Sequence, residues 1–233
     1  MILSAIAYQK YPGWASLASV CREWQYVLEK ANFYKVKLRV SCLNDFEYFV
    51  PPRKRELIHH ICLNVELPRY TPRCCSKRRS PPAKIRSVVS DGIWKLFSIL
   101  STWKPAAHLA LEINVYSPSD RKHWFKNFYL STDDVEDDGD PIPDALRAVT
   151  PHHDLQHGWV HGRQVKAPPR SAAQRIFRPI DLVFREMLPR VEAVTCLIIR
   201  RQLRRCISPW GLSLLLRKLH GLEHISLSRG RHT

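Results

Sequence analysis

The sequence predicts a mixed α/β fold, in the α+β or α/β class, in which short strands alternate with amphipathic helices. Two strands are plain. Ile61, Leu63, Val65 and Leu67 alternate with Cys62, Asn64 and Glu66, and Leu109, Leu111, Ile113 and Val115 alternate with Ala110, Glu112, Asn114 and Tyr116. A period of two marks strands with one buried face. Between them Ile85, Val89, Ile93, Leu96, Phe97 and Leu100 fall at helical spacing, giving one apolar stripe.

The remaining elements follow in order. Trp14, Leu17, Cys21, Trp24 and Leu28 recur at i, i+3 and i+4, which periodicity alone makes a single helix. Val36, Leu38 and Val40 against Lys35, Lys37 and Arg39 read as a half-buried strand. Arg69 to Lys84 carries three prolines, adjacent cysteines and a basic cluster, so a flexible loop is expected at 69–84. Six acids fall within Asp133–Asp140, and Pro, His and Arg dominate as far as Pro169, so 133–169 is expected to be a solvated, flexible insertion. A helix near Ile180 to Met187, a strand Val194 to Ile199, a helix near Leu212 to Leu216 and a strand around Ile225 to Leu227 complete the chain.

The last two helix–strand pairs share a template. Leu188, Val191, Val194 and Cys196 are spaced like Leu219, Leu222, Ile225 and Leu227, at an offset of 31 residues. Trp103, Ala106, Leu109 and Leu111 fit it too, and Ile58, Ile61 and Leu63 fit part of it. This is the logic of a leucine-rich repeat, in which each strand and helix buries its apolar face only by stacking on its neighbours. The period exceeds that of ordinary repeats of this kind, and the insertions make it irregular; an ordinary sandwich with helices over one sheet face is the alternative. In either arrangement Asn64, Glu66, Glu112, Asn114 and Ser226 face away from the apolar row, where a solenoid keeps its binding surface. Ile225 is expected in the core the two C-terminal units share.

With 233 residues, 45% hydrophobic and 25% charged, the chain can bury a sizeable core. Its 37 Lys+Arg against 21 Asp+Glu give a net charge of +16, which favours acidic partners. From His161 to Thr233 there are 15 basic residues and 4 acidic ones. Seven scattered cysteines and no signal peptide predict free thiols in a reducing compartment, the cytoplasm or nucleus. No stretch approaches eighteen consecutive apolar residues, so no membrane partner is expected.

No metal site or cofactor is expected. His153, His157 and His161 sit at i, i+4 and i+8, but Pro151, Gly158 and Gly162 interrupt them and nothing completes a tetrahedral set. Cys74-Cys75 lacks the spacing of a paired-cysteine metal motif, leaving two solvated loop thiols as the expectation. Arg73, Lys77, Arg78 and Arg79, with Arg200, Arg201, Arg204 and Arg205, could neutralise phosphates, yet no aromatics for base stacking are interleaved with them. Phosphate loops, dinucleotide fingerprints and nucleophile elbows are missing from the sequence, so no catalytic residue is assigned and a binding protein is expected rather than an enzyme.

The most specific string is Val20-Cys21-Arg22-Glu23-Trp24, preceded by Leu17-Ala18-Ser19 and by Met1-Ile2-Leu3-Ser4-Ala5-Ile6. It resembles the second half of an F-box, covering about residues 1–32. Asn32-Phe33, Leu43-Asn44-Asp45-Phe46, Ser117-Pro118-Ser119-Asp120 and His123-Trp124-Phe125 resemble F-box proteins of filamentous fungi. The resemblance implies a truncated F-box at 1–32, a helical break near Val20 and Cys21, and a degenerate repeat-like region at 33–233 that binds a target. It also implies that Ile2, Leu3, Ile6, Leu17, Val20 and Trp24 are the apolar anchors of a Skp-type adaptor, which links the chain to a cullin–RING ubiquitin ligase. The family's Leu-Pro-x-Glu opening is absent before Met1, so weak or no adaptor binding is expected of the chain as written.

The leading expectation is therefore a substrate receptor of an SCF-type ubiquitin ligase. A basic protein binding nucleic acid or an anionic surface, and a non-functional F-box fragment, are the alternatives.

Overall fold

The computed structural model describes residues 14–75, 83–105, 108–120, 122–126, 153–200 and 205–228. Helix α1 (Arg22–Tyr34) runs directly into strand β1 (Lys35–Arg39). After helix α2 (Leu43–Phe49) and the one-turn helix Pro52–Arg55 comes β2 (His60–Glu66). The long helix α3 (Ala83–Leu100) leads to β3 (Ala110–Tyr116). A small hairpin, β4 (Trp159–Val160) and β5 (Arg163–Gln164), and helix α4 (Arg170–Phe177) precede β6 (Cys196–Arg200). Helix α5 (Pro209–Leu216) leads to the last strand, β7 (His224–Ser228).

Five strands form one parallel sheet in the order β1-β2-β3-β6-β7, so each main strand lies beside the next one in the chain. Parallel neighbours need a crossover between them, and the segments containing α2, α3 and α5 supply three. These helices bury their apolar faces against one side of the sheet. Leu43 and Phe46 of α2, Val89, Ile93, Leu96, Phe97 and Leu100 of α3, and Leu215 of α5 share a single core with Leu38, Ile61, Leu63, Val65, Leu111, Ile113, Val115 and Leu197. The core is deepest between β2, β3 and α3 and thins toward the β7 edge, where Ile225 is 48% exposed.

Several turns are fixed by identifiable residues. Ser208 caps α5, its side chain accepting a hydrogen bond from the Gly211 amide, and Pro209 follows where a missing N–H costs nothing. Gly221, at the turn into β7, lies so close to the preceding unit that an added Cβ would overlap the Glu192 carbonyl oxygen. Gly221→Ala is expected to cost about 1–3 kcal/mol in denaturant unfolding, because the obstacle is backbone and cannot swing away. An unchanged unfolding midpoint would show that the two units are not this close.

The mixed α/β class and the strands at β1, β2, β3, β6 and β7 agree with the sequence reading to within a residue or two. Several expectations are corrected. Ile180–Met187 is not helical; Ile180 instead exchanges backbone hydrogen bonds with the Cys206–Ser208 segment, and the Val183 amide donates to Ser90 Oγ. The C-terminal units pair with Leu197 opposite Ile225, Cys196 opposite His224 and Val191 opposite Leu219, an offset of 28 residues rather than 31. Within the expected insertion, most of residues 153–169 are exposed, but His157, Gly158 and Trp159 are buried, and the Trp159 indole donates to the His123 carbonyl at 2.7 Å. In the 69–84 loop, likewise, Cys75 is buried. Residues 76–82 and 127–152 lie outside the described residues.

Candidate functional site

Alternation along each strand sends every second side chain to the sheet face that the core helices do not cover. On that face β1 contributes Lys35, Lys37 and Arg39; β2 contributes His60, Cys62, Asn64 and Glu66; β3 contributes Ala110, Glu112, Asn114 and Tyr116. The parallel register aligns them in rows, Lys37–Cys62–Glu112–Ile198–Ser226 and Arg39–Asn64–Asn114. All five residues expected to line a binding surface therefore share one face. Asn64, Glu66, Glu112 and Asn114 adjoin one another, while Ser226 lies two strands beyond Glu112 in the same row.

Cross-strand hydrogen bonds organise this face. Asn114 Nδ2 donates to Asn64 Oδ1 at 3.0 Å, and the Tyr116 hydroxyl donates to Glu66 Oε2 at 3.2 Å. His60 Nε2 lies 3.0 Å from Glu112 Oε2. Glu112 is only 3% exposed, so it is a support under the face rather than a contact on it. A buried carboxylate needs such a partner to offset its desolvation. His60 was missed in the sequence although it shares strand parity with Asn64, and that parity is the signal that finds it. The β1 edge is uniformly basic, whereas Glu66 gives the β2 end an exposed acid.

The N-terminal segment comprises a 3-10 helix, Trp14–Ser19, and α1, separated by a break. Cys21 has extended backbone (φ −158°, ψ 170°), so the stripe read as one helix is two. Val20 is 61% exposed at the break, Leu17 and Trp24 are half-buried, and Leu28 is fully buried. Ile2, Leu3 and Ile6 lie outside the described residues. A Glu29–Lys54 ion pair at 3.2 Å ties α1 to the one-turn helix Pro52–Arg55, and Lys54 also sits over the Phe33 ring. Gln25 and Lys54 hydrogen-bonding to Glu29 hold its carboxyl below the usual range.

A second, smaller module is packed beyond the ends of β2 and β3. Arg205 grips Asp120 through two 2.8 Å hydrogen bonds, with both side chains buried. Asp120 also accepts from the Tyr70 hydroxyl at 3.1 Å and from the Ser117 amide at 2.9 Å. Burial, then the adjacent Asp120 carboxylate, pushes the Tyr70 phenol far above its ordinary value. Arg205, read in the sequence as one of a cluster that could neutralise phosphates, is a structural cation here, and its 85-residue separation from Asp120 leaves no local pattern to reveal the pair.

His123 in this module is buried at φ 61°, a left-handed conformation that side chains of its size adopt under strain. Burial, then the neighbouring His157 ring, holds its imidazole below the ordinary histidine value, against opposing contributions from the Tyr70 backbone and Asp154. Burial alone would raise the Asp154 carboxyl, but hydrogen bonds from Lys126 and His157 outweigh it and hold the group low. The unfolded chain therefore takes up the His123 proton at a higher pH than the folded chain does. Stability is full above about pH 6.5 and falls as the pH drops below it; the Asp154 contribution is lost only at still lower pH, below about 3.9. The thermal midpoint is expected to fall between about pH 7 and pH 5, and His123→Asn, which tolerates the same backbone, to flatten that slope. A midpoint indifferent to pH in the unmodified chain would contradict this assignment.

No family model, curated protein or solved structure matches the chain. Among the described residues no helix is long and apolar enough to cross a membrane, and no group of three or more His, Cys, Asp or Glu side chains is placed to hold a metal ion.

Proposed function

We propose that this chain is a substrate receptor of an SCF-type ubiquitin ligase, with F-box-like helices at 1–32 and an irregular leucine-rich-repeat-like region after them. The observation that carries the reading is one of division of labour. Residues with the F-box-like string present an exposed apolar side chain, Val20, at a helical break, while the sheet keeps a polar, hydrogen-bonded face free of core helices. An adaptor groove would take Leu17, Val20 and Trp24 with Ile2, Leu3 and Ile6, since apolar anchors in a groove supply most of such an interface's affinity. A target protein would lie across Asn64, Glu66, Asn114 and Ser226, beside the basic β1 edge. Sequential parallel strands with one helix-covered face support the repeat-like description.

The receptor's contribution to ubiquitin transfer is proximity: it raises the local concentration of target lysines at the charged conjugating enzyme. Adaptor capture tests the reading. The chain preceded in frame by a Leu-Pro-x-Glu-Ile segment is expected to retain purified Skp-type adaptor on a column. Val20→Asp should weaken that binding by roughly tenfold or more, since it removes one anchor of ~1–2 kcal/mol and brings an unpaired charge to the groove. Failure of the extended chain at concentrations that capture an established F-box protein would refute the adaptor role.

A further inference from the structure

The adjacent cysteines Cys74-Cys75 and the histidine-rich stretch have no part in adaptor or target binding, yet the fold brings them together. Cys75 Sγ lies 3.2 Å from His157 Nε2, across 82 residues of sequence. On its other side His157 Nδ1 lies 2.8 Å from Asp154 Oδ2, and Asp154 is anchored by Lys126 Nζ at 2.9 Å. Backbone geometry fixes each partner. The Thr71 carbonyl accepts from the amides of both Cys74 and Cys75, and Asp154 and Trp159 exchange a pair of backbone hydrogen bonds around the tight Leu155–His157 turn.

The carboxylate on Nδ1 keeps a proton there and leaves the Nε2 lone pair facing sulfur. That is the arrangement in which an imidazole removes a proton from an attacking nucleophile while a third group orients it. Sulfur also has a competing acceptor, the Pro72 carbonyl at 2.8 Å. A second, independent feature marks the same spot. His123 is 8% exposed, its Nε2 is buried with no partner among the described residues, and its ring centroid is 4.7 Å from that of His157. A ring nitrogen so placed leaves a hydrogen bond unmet.

We propose that Cys75, His157 and Asp154 form a nucleophile, base and orienting group, and that Cys75 is a covalent capture site for small, uncharged α,β-unsaturated carbonyl compounds. Cys75 is 3% exposed among Trp124, Phe125, Ala172 and Ile176, which excludes an extended peptide and disfavours a charged ligand. As sulfur bonds to the β-carbon, the thiol proton passes to His157 Nε2 and the double-bond electrons move onto the carbonyl oxygen as an enolate. His157 then returns the proton to the α-carbon, so the adduct forms with no leaving group and no co-reactant. This inference is independent of adaptor binding.

The test uses the full chain under native conditions with acrylamide, an uncharged Michael acceptor, and follows adduct formation at each cysteine by peptide mass spectrometry. Cys75 is expected to react faster than Cys21 and Cys42, although those two are exposed. Its advantage should widen as the pH falls from about 8.5 to about 7, because an unassisted thiol depends on its own ionisation. Asp154→Asn should slow Cys75 by tenfold or more and leave Cys21 and Cys42 unchanged. Cys75 staying unlabelled until denaturant is added, or reacting equally fast in a folded Asp154→Asn protein, would overturn the proposal. The pH comparison in the unmodified chain decides the matter should that variant not fold.

Discussion

Asp120→Ala is expected to destabilise the protein by about 3–5 kcal/mol, a large share of what holds a domain of this kind together. The substitution removes a carboxylate that accepts two hydrogen bonds from Arg205, one from the Tyr70 hydroxyl and one from the Ser117 amide. The guanidinium is left buried without its counter-charge, and that uncompensated desolvation dominates the cost. The pair itself is worth far less than its breakage suggests. The double variant Asp120→Leu with Arg205→Met should therefore recover most of the loss, since apolar replacements of similar volume are often neutral or better. Urea unfolding of Asp120→Ala and of the double variant measures this directly. If Asp120→Ala costs under about 1 kcal/mol, the module is not packed on this ion pair.

Phe97→Ala is expected to cost about 3–5 kcal/mol, whereas Ile225→Ala should cost about 1 kcal/mol or less. Phe97 is fully buried on α3, where helix and sheet are most completely covered, so truncation leaves a cavity that the surrounding side chains cannot fill. Ile225 lies on the edge strand β7 and is about half exposed, with little transfer free energy to lose. Chemical denaturation of both variants tests where the core ends. Equal losses would mean that β7 is covered by something the described residues do not include.

How much of this was legible depended on whether neighbouring positions differ in chemistry. In β2, Ile61, Leu63 and Val65 face the core while Cys62, Asn64 and Glu66 do not, and the contrast fixes both strand and register in the sequence. Val194-Thr195-Cys196-Leu197-Ile198-Ile199 is apolar at both parities, so a three-residue slip in matching it to β7 went undetected. Ile180–Met187 has helical spacing, but Pro179 and Pro189 bound it and its amides find partners on Ser90 and the Cys206–Ser208 segment. Long-range pairs such as Asp120–Arg205 and Cys75–His157 have no period at all. The residues of the open face were found because strand alternation is local; the small module was missed because its contacts are not.

Reconstituted ubiquitin transfer most directly tests the proposal that this chain docks a target onto a ubiquitin ligase. The chain preceded by the Leu-Pro-x-Glu-Ile segment is mixed with adaptor, cullin–RING core, activating and conjugating enzymes and ubiquitin, and conjugation onto its own lysines is followed over time. Transfer should require the adaptor, and Val20→Asp should reduce it in step with the loss of adaptor binding. Conjugation that proceeds equally without adaptor, or none at all while the adaptor is visibly bound, would contradict the claim.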